Sequence, residues 1–278
     1  ANTDAVVSFP YRKGDTVIAA APKKIADLPA GSLNHHWTKS LAASADGKHL
    51  YIGVGSNSNI GENGMENEVD RAAVLQIDIA TGARRVFANG LRNPTALAWQ
   101  PQDGKLWAVV NERDELGNDL VPDYLTSVRE DAFYGFPYSY YGQHVDKRVK
   151  PQDPAQVARA IAPDYALGSH VAPLGLAFYT GQALPPRFHN GAFIALHGSW
   201  NRKPLSGYKV VFVPFNEGAP SGPMETVLEG FLNAKGEAQG RPVGVAQDNA
   251  GAILIADDVG DTIWRLAAAS PKPAPPKP

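Results

Sequence analysis

The feature that most constrains this chain is a recurring pair of short apolar runs joined by a turn that contains glycine. The pairs span residues 41–54, 97–110, 176–196 and 243–256. Their turn glycines, separated by 57, 87 and 60 residues, are predicted at Gly47, Gly104, Gly191 and Gly251. Two apolar runs around Asp-Gly, Asn-Gly or a close variant predict a β-hairpin, because glycine accepts the positive φ of the turn. The sequence therefore predicts four hairpins in series.

Further strand-like runs follow these hairpins, at residues 74–79, 85–88, 208–215, 225–228 and 263–266. Sheets of about four short strands that recur along a chain are typical of a β-propeller. The first fold hypothesis is therefore an all-β propeller, and the alternative is a β-sandwich whose hairpins are similar by chance. One short helix is predicted at residues 156–160, inside the insertion between the second and third hairpins.

Composition limits the function classes that are open to the chain. Its 278 residues are 44% hydrophobic and 19% charged, which is typical of a globular protein. A net charge of −2 gives no basic field for nucleic acid, and no apolar run approaches the roughly 20 residues that span a bilayer. The chain has no cysteine, so disulfides and thiolate metal sites are excluded, and a cytosolic or a periplasmic location is compatible with this.

Both ends of the chain depart from the repeat. Residues 6–9 look like the last strand of a sheet whose earlier strands are absent, and no signal-peptide pattern precedes them. We therefore expect a mature or truncated chain in which residues 1–269 form a partial propeller. Residues 270–278 are a Pro/Lys/Ala tail that is expected to remain outside it. Exposed sheet edges at the break predict self-association or aggregation.

Polar groups that precede the hairpins can carry chemistry. His35-His36 offers an imidazole as general base, but neighbours on a strand face opposite ways, so at most one is expected to face a site. Arg92-Asn93 places a guanidinium beside an amide, which suits a carboxylate or a developing oxyanion. Arg241 occupies the corresponding place in the last repeat, so both cations are expected to reach the central channel. A surface histidine pair and an ordinary ion pair of the arginine are the alternatives.

An acidic loop at residues 112–119 carries oxygen ligands of the kind that Ca²⁺ prefers. These ligands are Glu112, Asp114, Glu115, Asn118 and Asp119. Their spacing does not match an EF-hand, and a solvated loop is the alternative, as it is for the polar loop at residues 56–70. Residues 197–202 end a strand with a Gly-Ser turn that does not match a nucleophile elbow.

Ordered motifs along nearly the whole chain resemble one known family. They are His36 with the first hairpin turn, residues 90–94, residues 106–107 with the acidic loop, and residues 134–137, 170–173, 197–202 and 240–245. In this order they resemble the glucose/sorbosone dehydrogenase family, quinoproteins that use pyrroloquinoline quinone (PQQ) and calcium on a six-bladed propeller. The resemblance is closest to the L-sorbosone dehydrogenase-like branch.

The resemblance implies a role for individual positions. His36 corresponds to the family's general base, and Arg92 to the arginine beside the quinone carbonyl. The positions that correspond to cofactor contacts are Asn93, His170, Asn201, Arg202 and Arg241. The backbone carbonyls of Arg113 and Asp114 correspond to the calcium ligands, and Tyr165 to the edge of the substrate pocket.

The chain also departs from the family pattern. The family's first blade and most of its second have no counterpart before Ala1, which leaves about four to five blades and an expected gap in one wall of the cofactor site. Arg113-Asp114 replace the usual Gly-Pro of the calcium loop. Asn201 replaces a lysine of the glucose-oxidising branch, and Gln239 replaces its second arginine. These departures bear on cofactor affinity more than on the fold.

The function that the resemblance implies is PQQ-dependent oxidation of an aldose or a sugar aldehyde such as sorbosone. A small sugar and an external electron acceptor are the implied partners, in the periplasm or outside the cell. Two alternatives remain open. One is a Ca²⁺-dependent sugar lactonase, which requires carboxylates that converge on the central channel. The other is a non-catalytic propeller that binds a glycan or a protein.

Overall fold

The chain folds almost entirely into short antiparallel strands. The structure, a computed structural model, describes residues 1–269. Its strands are β1 (Ala5–Ser8), β2 (Lys23–Asp27), β3 (Lys39–Ala43), β4 (His49–Val54), β5 (Ala73–Asp78), β6 (Arg84–Asn89), β7 (Pro94–Trp99), β8 (Leu106–Val110), β9 (Pro122–Ser127), β10 (Ser139–Tyr140), β11 (His144–Val145), β12 (Tyr165–Ser169), β13 (Pro173–Phe178), β14 (Gly191–Leu196), β15 (Lys209–Asn216), β16 (Ala219–Pro220), β17 (Glu225–Leu228), β18 (Pro242–Gln247), β19 (Ile253–Asp257) and β20 (Thr262–Leu266). The helical elements of this range are α1 (Pro154–Arg159) and two 3₁₀ helices, Met65–Glu68 and Pro186–Phe188.

The strands form successive antiparallel sheets, each made by a meander of the chain. Four-stranded sheets are built by β3-β4-β5-β6, then by β7-β8-β9-β12, and then by β13-β14-β15-β17. A three-stranded sheet, β18-β19-β20, follows them, and a two-stranded sheet, β1-β2, precedes them. The short strands β10 and β11 pair with each other, and β16 pairs with the end of β15. Serial four-stranded sheets are the architecture of a β-propeller, as predicted.

The first strand of each sheet lies beside the first strand of the next, so that β3, β7, β13 and β18 follow one another around a common axis. Between β7 and β13, Thr95 Oγ1 donates a hydrogen bond of 2.6 Å to the Pro173 carbonyl. Strands β13 and β18 approach so closely that a Cβ added at Gly175 would lie 2.1 Å from the Val243 carbonyl oxygen. These inner strands bring the loops at their ends close together.

Apolar side chains fill the spaces between neighbouring sheets. Trp107 of the second four-stranded sheet and Ile194 of the third are buried in one cluster. Phe193 and Ile255 join the third sheet to the last one in another cluster. Val6 of the two-stranded sheet packs on the first four-stranded sheet. Because a sheet must bury its apolar face against another element, this packing fixes each sheet against the next.

All four predicted hairpins are present, and the later predicted strands correspond to β5, β6, β15, β17 and β20. One turn prediction is wrong. At the third hairpin the residue with left-handed backbone is Asn190, with φ of 53°, whereas Gly191 is the first residue of β14. A glycine is required at position 191 for packing instead, because a Cβ there would lie 2.2 Å from the ring of Phe212.

Strands β2, β9 and β12 were not predicted from the sequence. Strand β12 joins its sheet only after the insertion that contains α1, so no local hairpin signal marks it. The predicted helix at residues 156–160 is α1, which begins two residues earlier. Its N-cap is Asp153, whose carboxylate accepts two backbone N–H bonds of the first turn.

The predicted tail, residues 270–278, lies outside the described residues. Among residues 1–269, no helix is long and apolar enough to cross a membrane.

Candidate active site

A cavity of about 320 Å³ lies where the inner strands of the sheets begin. Seven of the ten residues predicted from the sequence line it: His36, Arg92, Asn93, Asp114, His170, Asn201 and Arg241. They come from loops next to several different sheets. The imidazole and the two guanidinium groups that were expected to meet in a common hollow therefore do so.

Proline marks the edge of this cavity. Asn93, Ala172 and Arg241 line it, and each immediately precedes the proline that opens β7, β13 or β18. Proline has no N–H to give to a sheet, so it is favoured at the first position of a strand. The residue before it is left outside the strand ladder. The backbone N–H of Arg241, for example, donates to Asp257 Oδ1 at 2.7 Å instead.

His36 lines the cavity with an imidazole whose proton position is fixed by its partners. Nδ1 lies 2.8 Å from the Ser56 carbonyl oxygen and 3.0 Å from Ser56 Oγ. Because a carbonyl oxygen can only accept, Nδ1 carries the hydrogen and Nε2 keeps its lone pair. Burial, the charge of Arg92 and the neighbouring His35 lower the pKa of His36 to about 2. The ring is therefore neutral at physiological pH.

All five N–H donors of Arg92 are taken by protein oxygens. Its Nε donates to the Asn59 carbonyl at 3.0 Å, and one terminal nitrogen donates to the carbonyls of Asn111 and Glu112 at 3.3 and 2.7 Å. The other terminal nitrogen donates to Asn59 Oδ1 at 3.0 Å and to Asp114 Oδ2 at 3.4 Å. Arg92 thus supplies positive charge to the cavity. A direct hydrogen bond to a bound carbonyl would require it to release a protein partner.

The carboxylate of Asp114 connects residues from neighbouring sheets. Its Oδ1 accepts a hydrogen bond of 2.7 Å from Asn201 Nδ2 and lies 3.7 Å from His170 Nδ1, while its Oδ2 faces Arg92. Burial opposes ionisation of Asp114, but the neighbouring His170, the charge of Arg92 and the bond from Asn201 together lower its pKa. The same contact with Asp114 raises the pKa of His170, whose Nε2 donates to the Gly117 carbonyl at 2.9 Å.

Arg241 retains hydrogen-bonding capacity at the cavity. Its Nε donates to the His197 carbonyl at 3.1 Å, one terminal nitrogen donates to the Gly198 carbonyl at 2.5 Å, and the guanidinium carbon lies 5.2 Å from the ring centroid of Tyr208. The second terminal nitrogen forms no hydrogen bond with residues 1–269. Arg241, unlike Arg92, can therefore donate to a bound anion without losing a protein partner.

Three of the ten predicted site residues do not line the cavity: Arg202, Tyr165 and Arg113. Arg202 bridges two loops, with bonds of 2.8 Å to the Asn118 carbonyl, 2.9 Å to the Pro204 carbonyl and 3.2 Å to Asp119 Oδ1. Tyr165 begins β12, the outermost strand of its sheet, and packs on the apolar cluster between sheets. That Arg202 contacts the cofactor and Tyr165 the substrate stays a prediction.

The predicted calcium carbonyls belong to a densely bonded loop. The Arg113 side chain is fully buried and does not line the cavity; it pairs with Glu112 at 3.0 Å and with Asp146 at 3.2 Å. The Asp114 carbonyl oxygen accepts hydrogen bonds from Arg148 at 3.0 Å and Asn59 at 3.4 Å. A cation at that oxygen would compete with both donors. Residues 1–269 contain no cluster of three or more His, Cys, Asp or Glu side chains arranged to hold a metal.

The cavity residues that were not predicted as site residues include Asp123, His197 and Trp200. Asp123 is buried, accepts the backbone N–H groups of Glu112 and Ala172 at 2.7 and 2.8 Å, and has its pKa raised to about 7 by burial. His197 lies 3.1 Å from an Asp258 oxygen, and Trp200 is 79% exposed. The sequence carries one signal for His197, which directly follows β14. Because β13 and β14 are antiparallel, the end of β14 lies beside the start of β13, and this is the end of the inner strand that faces the cavity.

Comparison with known proteins relates this chain to a family. A family model described as TrAA12-like matches residues 1–141 and 139–269. An uncharacterized protein of Borreliella burgdorferi is 30% identical over 241 residues, covering 86% of this chain and 62% of the relative. A pyrroloquinoline quinone-dependent pyranose dehydrogenase of Coprinopsis cinerea is 24% identical over 292 aligned positions, covering 80% of this chain and 39% of that enzyme. The chain thus spans less than two thirds of these curated relatives.

Solved structures share the fold at low sequence identity. The PQQ domain of Coprinopsis cinerea pyranose dehydrogenase superposes with a TM-score of 0.81 at 21% identity, covering 96% of this chain and 78% of that one. A calcium structure of a Trichoderma reesei family AA12 protein gives 0.79 at 19% identity, with 95% and 76% covered. The PQQ-bound aldose sugar dehydrogenase of Streptomyces coelicolor gives 0.62 at 17% identity, with 94% and 68% covered. The fold is thus the propeller of these dehydrogenases.

Proposed function

This chain belongs to the TrAA12-like family, and from that premise we propose that it oxidises an aldose or a sugar aldehyde, such as sorbosone, with pyrroloquinoline quinone as cofactor. The single observation that carries the proposal is the cavity shared by His36, with its Nε2 lone pair, and Arg241, with a free donor. An external electron acceptor and a periplasmic or secreted location are parts of the same proposal.

The residues present fit an anionic quinone with a bound cation. The cofactor carries carboxylates, which the free terminal nitrogen of Arg241 and the charge of Arg92 favour. Within the described part of the chain, residues 1–269, the buried oxygens without a hydrogen-bond partner include Asn93 Oδ1, Asn111 Oδ1 and Glu112 Oε1, on residues that line the same cavity. Such oxygens suit Ca²⁺. We keep the proposal that the carbonyls of Arg113 and Asp114 belong to the calcium site.

His36 is the general base of the proposed reaction. Its Nε2 lone pair accepts the proton of the substrate hydroxyl at the carbon that is oxidised, while the Nδ1 hydrogen stays bonded to Ser56. When bound, the quinone supplies the acceptor for the hydride that leaves this carbon. An anionic ligand beside Arg92 would reduce the repulsion that disfavours the imidazolium, so binding itself is expected to make His36 a stronger base.

Arg92, Asp114, His170 and Asn201 hold the geometry of the proposed site. Their mutual contacts hold these charged and polar side chains in place before a ligand binds. Side chains that are already positioned can stabilise charge in the transition state without moving during the reaction. At the rim, the exposed indole of Trp200 offers a flat apolar surface for the C–H face of a sugar ring.

The proposal is tested by His36→Ala with separate measurements of binding and turnover. PQQ affinity, titrated in the presence of Ca²⁺, is expected to remain near that of the wild type, whereas sugar-dependent reduction of a dye acceptor is lost. His144→Ala is the control, because His144 is exposed and does not line the cavity. Near-normal turnover of His36→Ala would show that another group is the base.

A sugar lactonase is the second candidate, because the structure brings carboxyl groups to the cavity. Glu112, Asp114 and Asp123 all line it. Asp114 is already paired with Arg92, which disfavours its carboxylate as a metal ligand. Hydrolysis of a sugar lactone with Ca²⁺ and without quinone would favour the lactonase. Failure of the folded chain to bind PQQ or hydrolyse lactones would favour a non-catalytic propeller.

A further inference from the structure

His36 is oriented by a buried loop rather than by a carboxylate of its own. The loop is Ser56, Asn57 and Ser58, exposed by 0%, 2% and 0%. Ser56 provides both acceptors for the Nδ1 hydrogen, its carbonyl oxygen and its hydroxyl oxygen. The proton position on His36 therefore depends on where this loop lies.

Glu68 holds the loop with both carboxylate oxygens. Its Oε2 accepts the backbone N–H of Asn57 at 2.8 Å, and its Oε1 accepts the hydroxyl of Ser58. The residue is 8% exposed and ends the 3₁₀ helix Met65–Glu68. Both groups donate to the carboxylate, and its two acceptor oxygens satisfy them together.

The loop transmits this constraint to the imidazole through short bonds. Ser56 Oγ donates its hydrogen to the Ser58 carbonyl at 2.6 Å. The lone pairs of Ser56 Oγ therefore remain available as acceptors, and His36 Nδ1 donates to one of them. Asn57 Oδ1 accepts the backbone N–H of His35 at 3.0 Å. The backbone N–H of Ser56 donates to the Arg92 carbonyl at 2.7 Å. The chain segments that carry His36 and Arg92 are thus joined through this loop.

We propose that Glu68 is a positioning residue for His36. By fixing Asn57 and Ser58, it keeps Ser56 against Nδ1 and leaves the Nε2 lone pair for the cavity. The catalytic consequence rests on the proposed function, whereas the effect of Glu68 on the tautomer of His36 does not.

The test compares Glu68→Gln with Glu66→Gln, a control on the same 3₁₀ helix whose side chain is exposed. The tautomer of His36 is measured from its ring ¹⁵N shifts in the ligand-free protein. Wild type and the control are expected to show the Nδ1–H tautomer, and Glu68→Gln a mixture that includes Nε2–H. Because small misplacements of a reacting group lower rates strongly, kcat of Glu68→Gln is expected to fall about 100-fold while the Kd for PQQ is unchanged.

A second variant, Ser58→Ala, removes one donor to Glu68 without placing an amide in the buried site. It is expected to shift the tautomer in the same direction, and it decides the question if Glu68→Gln does not fold. An unchanged tautomer together with an unchanged kcat in the folded variants would overturn the role of Glu68. A shifted tautomer in a protein whose His36→Ala variant retains turnover would support the positioning role and contradict the proposed function instead.

Discussion

Single side chains in the cavity differ in how much hydrogen-bonding capacity the fold has already used. Arg92 has no free donor, whereas Arg241 has a terminal nitrogen without a hydrogen-bond partner among residues 1–269. His36 is bonded through Nδ1 alone, to the two oxygens of Ser56. Residue type and spacing made both arginines equal candidates. The contacts show that Arg92 is a structural cation, whereas Arg241 can still bind a ligand.

Arg92→Met is expected to destabilise the protein. The change leaves the Glu112 carbonyl without this donor and the Asp114 carboxylate without its ion-pair partner, and removing one member of a largely buried ion pair costs about 3 kcal/mol or more. Arg85→Met is the control, since Arg85 pairs with Glu130 at the surface, where a pair contributes about 1 kcal/mol or less. Urea unfolding measures both. Equal losses in the two variants would contradict a structural role for Arg92.

The low pKa of His36 predicts a pH-dependent stability. Its ordinary pKa is 6.5 and its folded value about 2, so below pH 6.5 the unfolded chain binds a proton here that the folded chain does not, and stability is lost as the pH falls. His36→Gln lacks this group. Its unfolding free energy relative to wild type is expected to increase by about 2 kcal/mol from pH 7 to pH 5. A pH-independent difference in urea unfolding would show an ordinary pKa.

Strands and loops show which parts of the fold the sequence can specify. Hairpins were predictable because their apolar runs and turn residues are close together in the chain. Strand β12 was missed because an insertion that contains α1 separates it in the chain from its partner β9. The left-handed turn residue was misplaced at Gly191, because a glycine required by the nearby Phe212 ring looks the same in sequence as one required by a turn.

In the candidate site, too, positions marked by a local sequence pattern were predicted more reliably than positions set by long-range contacts. Arg92 and Arg241 were placed by their corresponding positions before the first strands of two hairpins, and that end of each inner strand lies at the cavity. Tyr165 and Arg202 were placed only by the family resemblance. Correspondence to a motif does not tell how far across a sheet a residue lies from the axis. The one sequence signal for His197 is its position directly after β14, whereas Asp123 required tertiary contacts to be identified.

Gly175→Ala is expected to disturb the contact between two inner strands. The added Cβ would lie 2.1 Å from the Val243 carbonyl oxygen and 3.0 Å from the Val245 nitrogen, so β13 and β18 must separate. Overpacking of this kind costs about 1–3 kcal/mol. Gly244→Ala is the matched control in β18, because its Cβ would meet nothing closer than 3.7 Å. Thermal unfolding that is the same for both variants would contradict this close approach.

At the scale of the whole molecule, sheets arranged about one axis bring residues more than 200 positions apart to one cavity, from His36 to Arg241. The chain covers 78% of the Coprinopsis cinerea PQQ domain chain. On the last sheet, Ile263 and Trp264 of β20 are 72% and 44% exposed. Self-association at the sheet edges stays a prediction, and a concentration series in analytical ultracentrifugation measures it.

The central claim is that this cavity binds PQQ through Arg241 and presents it to His36. The most direct measurement is a titration of PQQ into the purified chain with Ca²⁺, followed by absorbance, for the wild type and for Arg241→Met. Saturable binding of one PQQ per chain is predicted for the wild type. Loss of a charge-assisted hydrogen bond is expected to weaken binding about tenfold or more in the variant. No saturable binding, or equal affinity in both proteins, would contradict the claim.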